Sequence, residues 1–422
     1  MNGILNFLVA VAAVSLSMPS SAADQWSFFE QVDRVVDGQK SNQIAQSELD
    51  AAKERSRTKK YNFLPSVSAS ASQSLYSKTS DVPDDVTTKS LGADVSVNIF
   101  RFGADRAARA GATESLQAAE LKRDARRLAA DSRAATMLAD ALAARMALTV
   151  YEHRIVTALQ SINAADARYR KGLLSEQELA KLKLDFTSLQ LAKKSAEREA
   201  AQTTQLIESF GGVVPTNATW PMANGSELAT KIKKWASSLT ANHLSIKALA
   251  AESRAADAAV TEARSAMLPS IDLGGSWRKI YADSDMPVRD HKEIVASVSV
   301  PIFSKFSDSG EYRARVLEAS ALKTSLATEE TTSTQTFKFA VQSLTDTIDE
   351  ALERERQIAT AERLYSDNLQ RFQRGLITVN DLSIDEHRVQ EAELTAIQTW
   401  QKAHTEWFHV AELAGVPAIG AR

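Results

Sequence analysis

Two hydrophobic periods alternate along this 422-residue chain, and each change of period marks a change of element. An amphipathic helical pattern opens at a capping box, Ser27-x-x-Glu30, and runs through Val32, Val35, Val36, Ile44 and Leu49 to about Tyr61. Leu64-Pro-Ser66 stops it. The period then falls to two: Val67, Ala69, Ala71 and Leu75 alternate with Ser66, Ser68, Ser70, Ser72 and Ser74, which predicts a strand with an apolar and a hydroxyl face. A polar stretch, 78–89, reads as an exposed loop. A second strand follows, with Leu91, Ala93, Val95, Val97 and Ile99 on one face and Gly92, Asp94, Ser96 and Asn98 on the other, ending at Phe100-Arg-Phe-Gly103. From Ala112 to Lys171 there is neither Gly nor Pro. As helix, this run would extend roughly 90 Å. Leu121, Leu128, Ala135, Leu142, Thr149 and Val156 recur every seven residues in it, with Ala125, Ser132, Ala139 and Met146 as companions, a pattern suited to closely packed, supercoiled helices.

At Gly172 the helix turns back, and the box Ser175-x-x-Glu178 starts a returning helix to about Glu208. Phe210-Gly-Gly212 ends that helix. The whole order then recurs roughly 200 residues downstream, too long a period for a solenoid and the mark of a duplicated half. A helix is expected from about Glu227 to Ala266, then Leu268-Pro-Ser270, a strand from Ile271 to near Trp277, and a polar loop over 281–292. The fourth strand has Ile294, Ala296, Val298, Val300 and Ile302 on one face. A second breaker-free run, Glu311 to Arg374, leads to Gly375, the box Thr378-x-x-Asp381 and a last helix to Leu413. The expected organisation is a leader at 1–23, a first repeat at 24–212 with its tip at Gly172, a linker at 213–226, and a second repeat at 227–422 with its tip at Gly375.

Composition narrows the class. Gly and Pro are scarce, at 15 and 9, and Ala, Leu, Ser, Glu, Arg and Lys dominate, as in long helices and coiled coils. A net charge of −3 gives no basic surface for nucleic acid. The absence of Cys removes disulfides, thiol catalysis, thiolate metal sites and a lipidated N-terminal Cys. Apolar residues from Ile4 to Leu16, with Ser21-Ala-Ala23 before Asp24, read as a secretory leader cleaved after Ala23, although its n-region lacks Lys and Arg. Past it, no apolar run is long enough for a membrane-spanning helix. No enzyme, cofactor or metal is expected: there is no H-E-x-x-H, P-loop, nucleophile elbow or dinucleotide fingerprint, and His404 and His409 are five apart, poor for joint ligation.

The four strands set the physical requirement. Each is about the 9–11 residues that cross a bilayer as part of a β-barrel, with one apolar and one polar face. Four strands cannot close a barrel, and an open edge is not tolerated in lipid, so spanning requires several chains; three would supply twelve strands. The same pattern also suits a soluble four-stranded sheet beside helices, and hence a secreted or periplasmic coiled-coil scaffold or adaptor without a membrane barrel.

In its duplicated order the chain resembles the TolC family of outer-membrane efflux proteins. The resemblance rests on the helix entering Leu-Pro-Ser ahead of each first strand, the strand ends running into long helices at Val97 to Ala112 and Val300 to Ala319, and the paired tips Tyr169-x-x-Gly172 and Phe372-x-x-Gly375, each with an acidic residue six positions on, Glu178 and Asp381. It departs where relatives often carry Gly-Gly after the strand: Phe102-Gly-Ala104 in one half, Lys305 to Gly310 in the other. The resemblance implies an α+β membrane protein: a homotrimer whose long antiparallel helices form a coiled-coil barrel, joined to a twelve-stranded β-barrel, four strands per chain. It implies residence in the outer membrane of a Gram-negative bacterium, with a large periplasmic helical part and the two polar loops outside. It implies an exit duct for tripartite efflux or type I secretion, its tips meeting a periplasmic adaptor (membrane fusion protein) attached to an inner-membrane pump.

The same resemblance gives the tips their candidate roles. Asp381 and Asp385, one turn apart, would form acidic rings at the narrow end of a three-fold channel and gate it, as acidic residues on this helix do in the family. Asp385 lies one residue beyond the expected position. Against this, Asp381 is the fourth member of a capping box, and acidic groups stabilise helix N-termini in any case. Glu178 reads first as a capping residue. Gly172 and Gly375 suit a left-handed turn. Leu173, Leu174, Leu376 and Ile377, with Ser175 and Thr378 beside them, are candidates for adaptor contact; the apolar four would otherwise pack back as hydrophobic staples.

Overall fold

The structure is a computed structural model that describes residues 22–73, 88–215, 220, 231–232, 234–235, 243–282, 289–302 and 307–417. The expected leader ahead of Ala22, most of the linker, and residues 78–87 and 283–288 of the two polar loops lie outside the described residues. In chain order the elements are α1 (Ala22–Gly38), α2 (Lys40–Lys60), β1 (Ser66–Gln73), β2 (Thr88–Phe100), α3 (Ala104–Arg170), α4 (Glu176–Ser209), α5 (Leu244–Ser265), β3 (Ser270–Ala282), β4 (Arg289–Ser299), α6 (Ser307–Gln373) and α7 (Val379–Leu413). The strands form one antiparallel sheet in the order β1-β2-β3-β4. The chain divides into two compact units, each drawn from both halves of the sequence: one from 1–43, 125–243 and 332–422, the other from 44–124 and 244–331.

The second of these holds the sheet. Its register puts like residues on like faces. Val67 pairs with Val95, Ala69 with Ala93 and Ala71 with Leu91; Val97 pairs with Leu273 and Phe100 with Ile271; Ile271, Leu273 and Gly275 pair with Val298, Ala296 and Ile294. Directly paired residues share a face, so these form one continuous apolar surface. It is uncovered: Val67 is 72% exposed, Ile294 84% and Val298 66%. Aromatic and charged groups bound it. Trp277 pairs with Lys292, and on the same face Lys279 lies over the Tyr281 ring at 5.4 Å; at the other end Phe100 meets Phe102 with ring centroids 4.8 Å apart. The opposite face is polar, with Ser66–Ser96 and Ser72–Ser90 hydroxyl pairs at 2.7 and 2.8 Å and Asn98 bonded to Asp272. Below the strands, α3 packs closely on α5: a Cβ at Gly111 would lie 3.3 Å from the Ala258 Cβ.

The first unit holds the main core. Phe28, Val32, Val35, Leu138, Ile207, Leu344 and Phe408 are all essentially inaccessible. Stacked rings extend it, Trp235 on Trp407 at 4.8 Å and Trp220 on His404 at 4.6 Å. His404 is fully buried; its Nδ1–H donates to Trp400 O at 2.7 Å, and burial pushes its pKa down to about 4, so it is neutral at ordinary pH.

Several expectations are corrected. Ser27 does not begin a helix: α1 starts at Ala22, and Glu30 instead pairs with Arg34 at 2.7 Å. The opening helix is two helices, broken after Gly38, where the Asn42 side-chain amide donates to Val36 O at 2.8 Å. α3 and α6 begin before the breaker-free runs, since each tolerates one Gly in an early turn. β3 continues past Trp277 to Ala282, whereas β4 stops at Ser299, two residues before Pro301, which has no N–H to donate. The heptad stripe on α3 is buried at Ala135 and Leu142 but exposed at Thr149 and Val156. A straight helix rotates a strict seven-residue stripe by about 20° per heptad, and Ala158, Ser161 and Ala165 take over the buried face.

Candidate functional site at the paired hairpin tips

Both tips lie in the first unit and share one backbone. Arg168 O accepts from Leu173 N–H at 3.0 Å and Tyr169 O from Gly172 N–H at 2.8 Å; Arg371 O and Phe372 O accept likewise from Leu376 and Gly375, both at 2.9 Å. These are paired Schellman closures, which require a left-handed residue; Gly172 and Gly375 have φ of 71° and 79°. A reciprocal capping box follows each. The Ser175 hydroxyl accepts from Glu178 N–H and the Glu178 carboxylate accepts from Ser175 N–H; Thr378 and Asp381 repeat this. The same bonds hold the Glu178 and Asp381 carboxyls below the usual range: for Glu178 the Ser175 backbone N–H is the chief cause and the hydroxyl second, for Asp381 the Thr378 hydroxyl and then its backbone N–H.

The four apolar tip residues separate into two pairs. Leu174 and Ile377 pack inward on a cluster of Leu179, Leu182, Phe372, Val379, Leu382 and Tyr365, as hydrophobic staples do. Leu173 and Leu376 remain 64% and 69% exposed. The two candidate gate residues also differ. Asp381 is exposed and held in its box. Asp385 is buried, accepting from the Asn368 amide and, at 3.0 Å, from Arg388. Asp385 and Arg388 line a cavity of about 250 Å³ with Glu353, Arg356, Thr360 and Leu364 of α6.

Contacts between the hairpins went unread in the sequence. Arg168 of the first tip crosses to the second: its guanidinium lies 4.7 Å from the Phe372 ring centroid and donates to Phe372 O. Lys181 donates to Asn380, and Ser383 donates to Asp185 at 2.7 Å. Behind them, buried Arg154 donates from Nε to Glu393 at 2.8 Å and pairs with it a second time through Nη2. Glu386 shares this neighbourhood, and its Oε1 is buried without a hydrogen-bond partner. Burial, with Asp185 adding to it and Arg154 opposing, raises its pKa to about 7. Glu362 is raised as well, by burial and by Glu393. No local signal marks these residues, because each partner lies far away in sequence.

Among the described residues there is no cluster of His, Asp and Glu able to hold a metal, and no helix long and apolar enough to cross a membrane. The sequence profile of the family described as Outer membrane efflux protein matches residues 40–212 and 235–416. No curated protein matches the chain. Among solved structures, CusC superposes with a TM-score of 0.80 at 15% identity, covering 95% of this chain and 96% of that one. The CmeC outer membrane channel of Campylobacter jejuni gives 0.77 at 16%, covering 96% and 91%, and the outer membrane protein VceC of Vibrio cholerae 0.76 at 17%, covering 93% and 98%. The duplicated hairpins and four-stranded sheet are thus a fold held in common with outer-membrane channels. Matched over both halves, the chain belongs to the outer membrane efflux protein family.

Proposed function

We propose that three copies of this chain form the outer-membrane exit duct of a tripartite efflux or type I secretion system, passing substrate from a periplasmic adaptor and inner-membrane pump to the exterior. The observation that carries this reading is the sheet of the second unit. Its apolar face is continuous and uncovered, and β1 and β4 each pair on one side only. In lipid the face finds its solvent, and the open edges require strands from further copies. Trp277 and Tyr281 at one border and Phe100 and Phe102 at the other fit the aromatic girdles of such barrels.

At the tips, Leu173 and Leu376 are the apolar side chains left for an adaptor, supported by Gly172, Gly375, Ser175 and Thr378, which set the turns that present them. Leu174, Ile377 and Glu178 serve the turn itself. Asp381, exposed on the helix leaving the second tip, is the stronger gate candidate; Asp385 would act through Asn368 and Arg388. The test is extraction. The mature protein should resist alkaline washing of membranes and run in detergent at three times its chain mass. Arg at Val97 or Val298 should cost about 2–4 kcal/mol per site and abolish assembly. A wild-type chain that stays soluble and monomeric without detergent overturns the reading.

A further inference from the structure

The two halves repeat their strands but not the segments at the strand feet. In the first half the foot reads Lys59-Lys60-Tyr61-Asn62-Phe63-Leu64-Pro-Ser66 and, after β2, Phe100-Arg-Phe-Gly103 into the first turns of α3. At the matching position the second half reads Ala263-Arg264-Ser265-Ala266-Met267-Leu268-Pro-Ser270. Ahead of β3 the rings of Tyr61 and Phe63 have become Ser265 and Met267, while Arg264 keeps the cation at the position of Lys60. In the first half Tyr61, Phe63, Phe100 and Phe102 are about half exposed. Phe100 shares the register row of Ile271 and Val298, at the edge of the apolar face. Arg109 lies over the Phe63 ring at 5.4 Å. Lys60, Arg106 and Arg109 are exposed and have no ion-pair partner among the described residues. Asp105 is the one carboxylate in this stretch of α3's first two turns.

We propose that this foot binds the anionic headgroup of a glycerophospholipid, in the leaflet at the helical end of the sheet. The inference rests on the sheet spanning the membrane. Rings at the border of an apolar face sit at headgroup depth, with their flat bodies in the acyl boundary. Unpaired Lys and Arg at the same depth gain from a negative surface, each by a fivefold change in affinity or so. A cation resting on a ring keeps its charge at that level, as Arg109 does on Phe63. Three exposed cations without ion-pair partners beside the edge of the apolar sheet are placed to meet a phosphate layer.

The experiment is native mass spectrometry of the detergent-solubilised full assembly, with phosphatidylglycerol or phosphatidylcholine added. Wild type should retain phosphatidylglycerol well over phosphatidylcholine. Neutralising Lys60, Arg106 and Arg109 together to Gln should erase that preference, whereas Arg109→Lys should keep it. Equal retention of the two lipids by wild type, or an unchanged preference in the triple variant, overturns the inference. So does displacement by millimolar inorganic phosphate, which would mark a free-anion site. If the triple variant fails to assemble, the wild-type comparison alone decides. Resistance to alkaline washing separates the two ideas: a protein that resists washing but shows no lipid preference sinks the headgroup site alone, and one that washes off sinks the spanning reading too.

Discussion

The two tips share a backbone and differ in what reaches it. Each closes with the same Schellman bonds, the same left-handed Gly and the same reciprocal box, because those interactions lie within ten residues and are written twice in the sequence. The contacts between hairpins are not repeated. Arg168 crosses from the first tip to Phe372, while its counterpart Arg371 stays exposed at the surface. Arg154 grips Glu393 from α3, and among the described residues no matching pair holds the other side. Duplication therefore conserved the turns and left the joint between them free to become one-sided.

The largest effect should come from breaking that joint at its centre. Arg154 is nearly inaccessible and neutralises Glu393 while moderating Glu386 and Glu362. Arg154→Ala leaves these carboxyls in low dielectric without their cation, and a cost of about 3–5 kcal/mol is expected in chemical denaturation. An equally large loss from Arg371→Ala, the exposed counterpart of Arg168, would dissolve the asymmetry.

Next comes pH. Glu386 has a folded pKa raised from 4.5 to about 7. Between those values the folded hairpin holds a proton that the unfolded chain has released, so stability falls as pH rises through this window and is level above it. The fall is bounded at about 3 kcal/mol by the size of the shift. Glu386→Gln removes one of the raised carboxyls, so its denaturation midpoint should fall less than wild type's across the window and lie above it at pH 8. A wild-type slope of opposite sign would mean that Arg154 outweighs burial.

The tip glycines sharpen the comparison itself. Replacing either with Ala puts a Cβ into the left-handed region, at about 1–2 kcal/mol. At Gly172 the new atom meets nothing within 4 Å, whereas at Gly375 it lies 3.3 Å from Arg168 Nη2. Gly375→Ala should therefore cost more than Gly172→Ala, and removing Arg168 should equalise them. Equal costs with Arg168 in place would show that the crossing contact gives way freely.

What could be read from the sequence divides along the same line. The strands, both tips, both boxes and the staple alternative for Leu174 and Ile377 follow from residues a few positions apart. The break at Gly38 and the inward turn of Ala158 and Ala165 did not, since each depends on a helix distant in sequence or on accumulated rotation of a long one. Asp385 shows why the candidate site was harder than the fold. Its spacing from Asp381 suggested a second ring, but Asn368 and Arg388 claim its oxygens, and nothing within a turn of it announces Asn368.

The smallest change in stability is expected at Asp381, and it bears most directly on function. Its carboxylate is exposed and caps α7, and Glu178 does the same for α4 at the first tip. That pair is a matched control within one chain. If both only cap, Asp381→Asn and Glu178→Gln should each lower stability slightly and leave single-channel conductance and cation block alike in planar bilayers. If Asp381 also lines a constriction, its loss should change cation block while Glu178→Gln does not, because only a ring of charge at the narrow end concentrates cations. Low salt is the condition to use, since screening would otherwise hide a difference between two solvent-exposed groups. Equal and negligible effects on block would return Asp381 to the turn, and the gate would then have to be sought at the buried joint behind it.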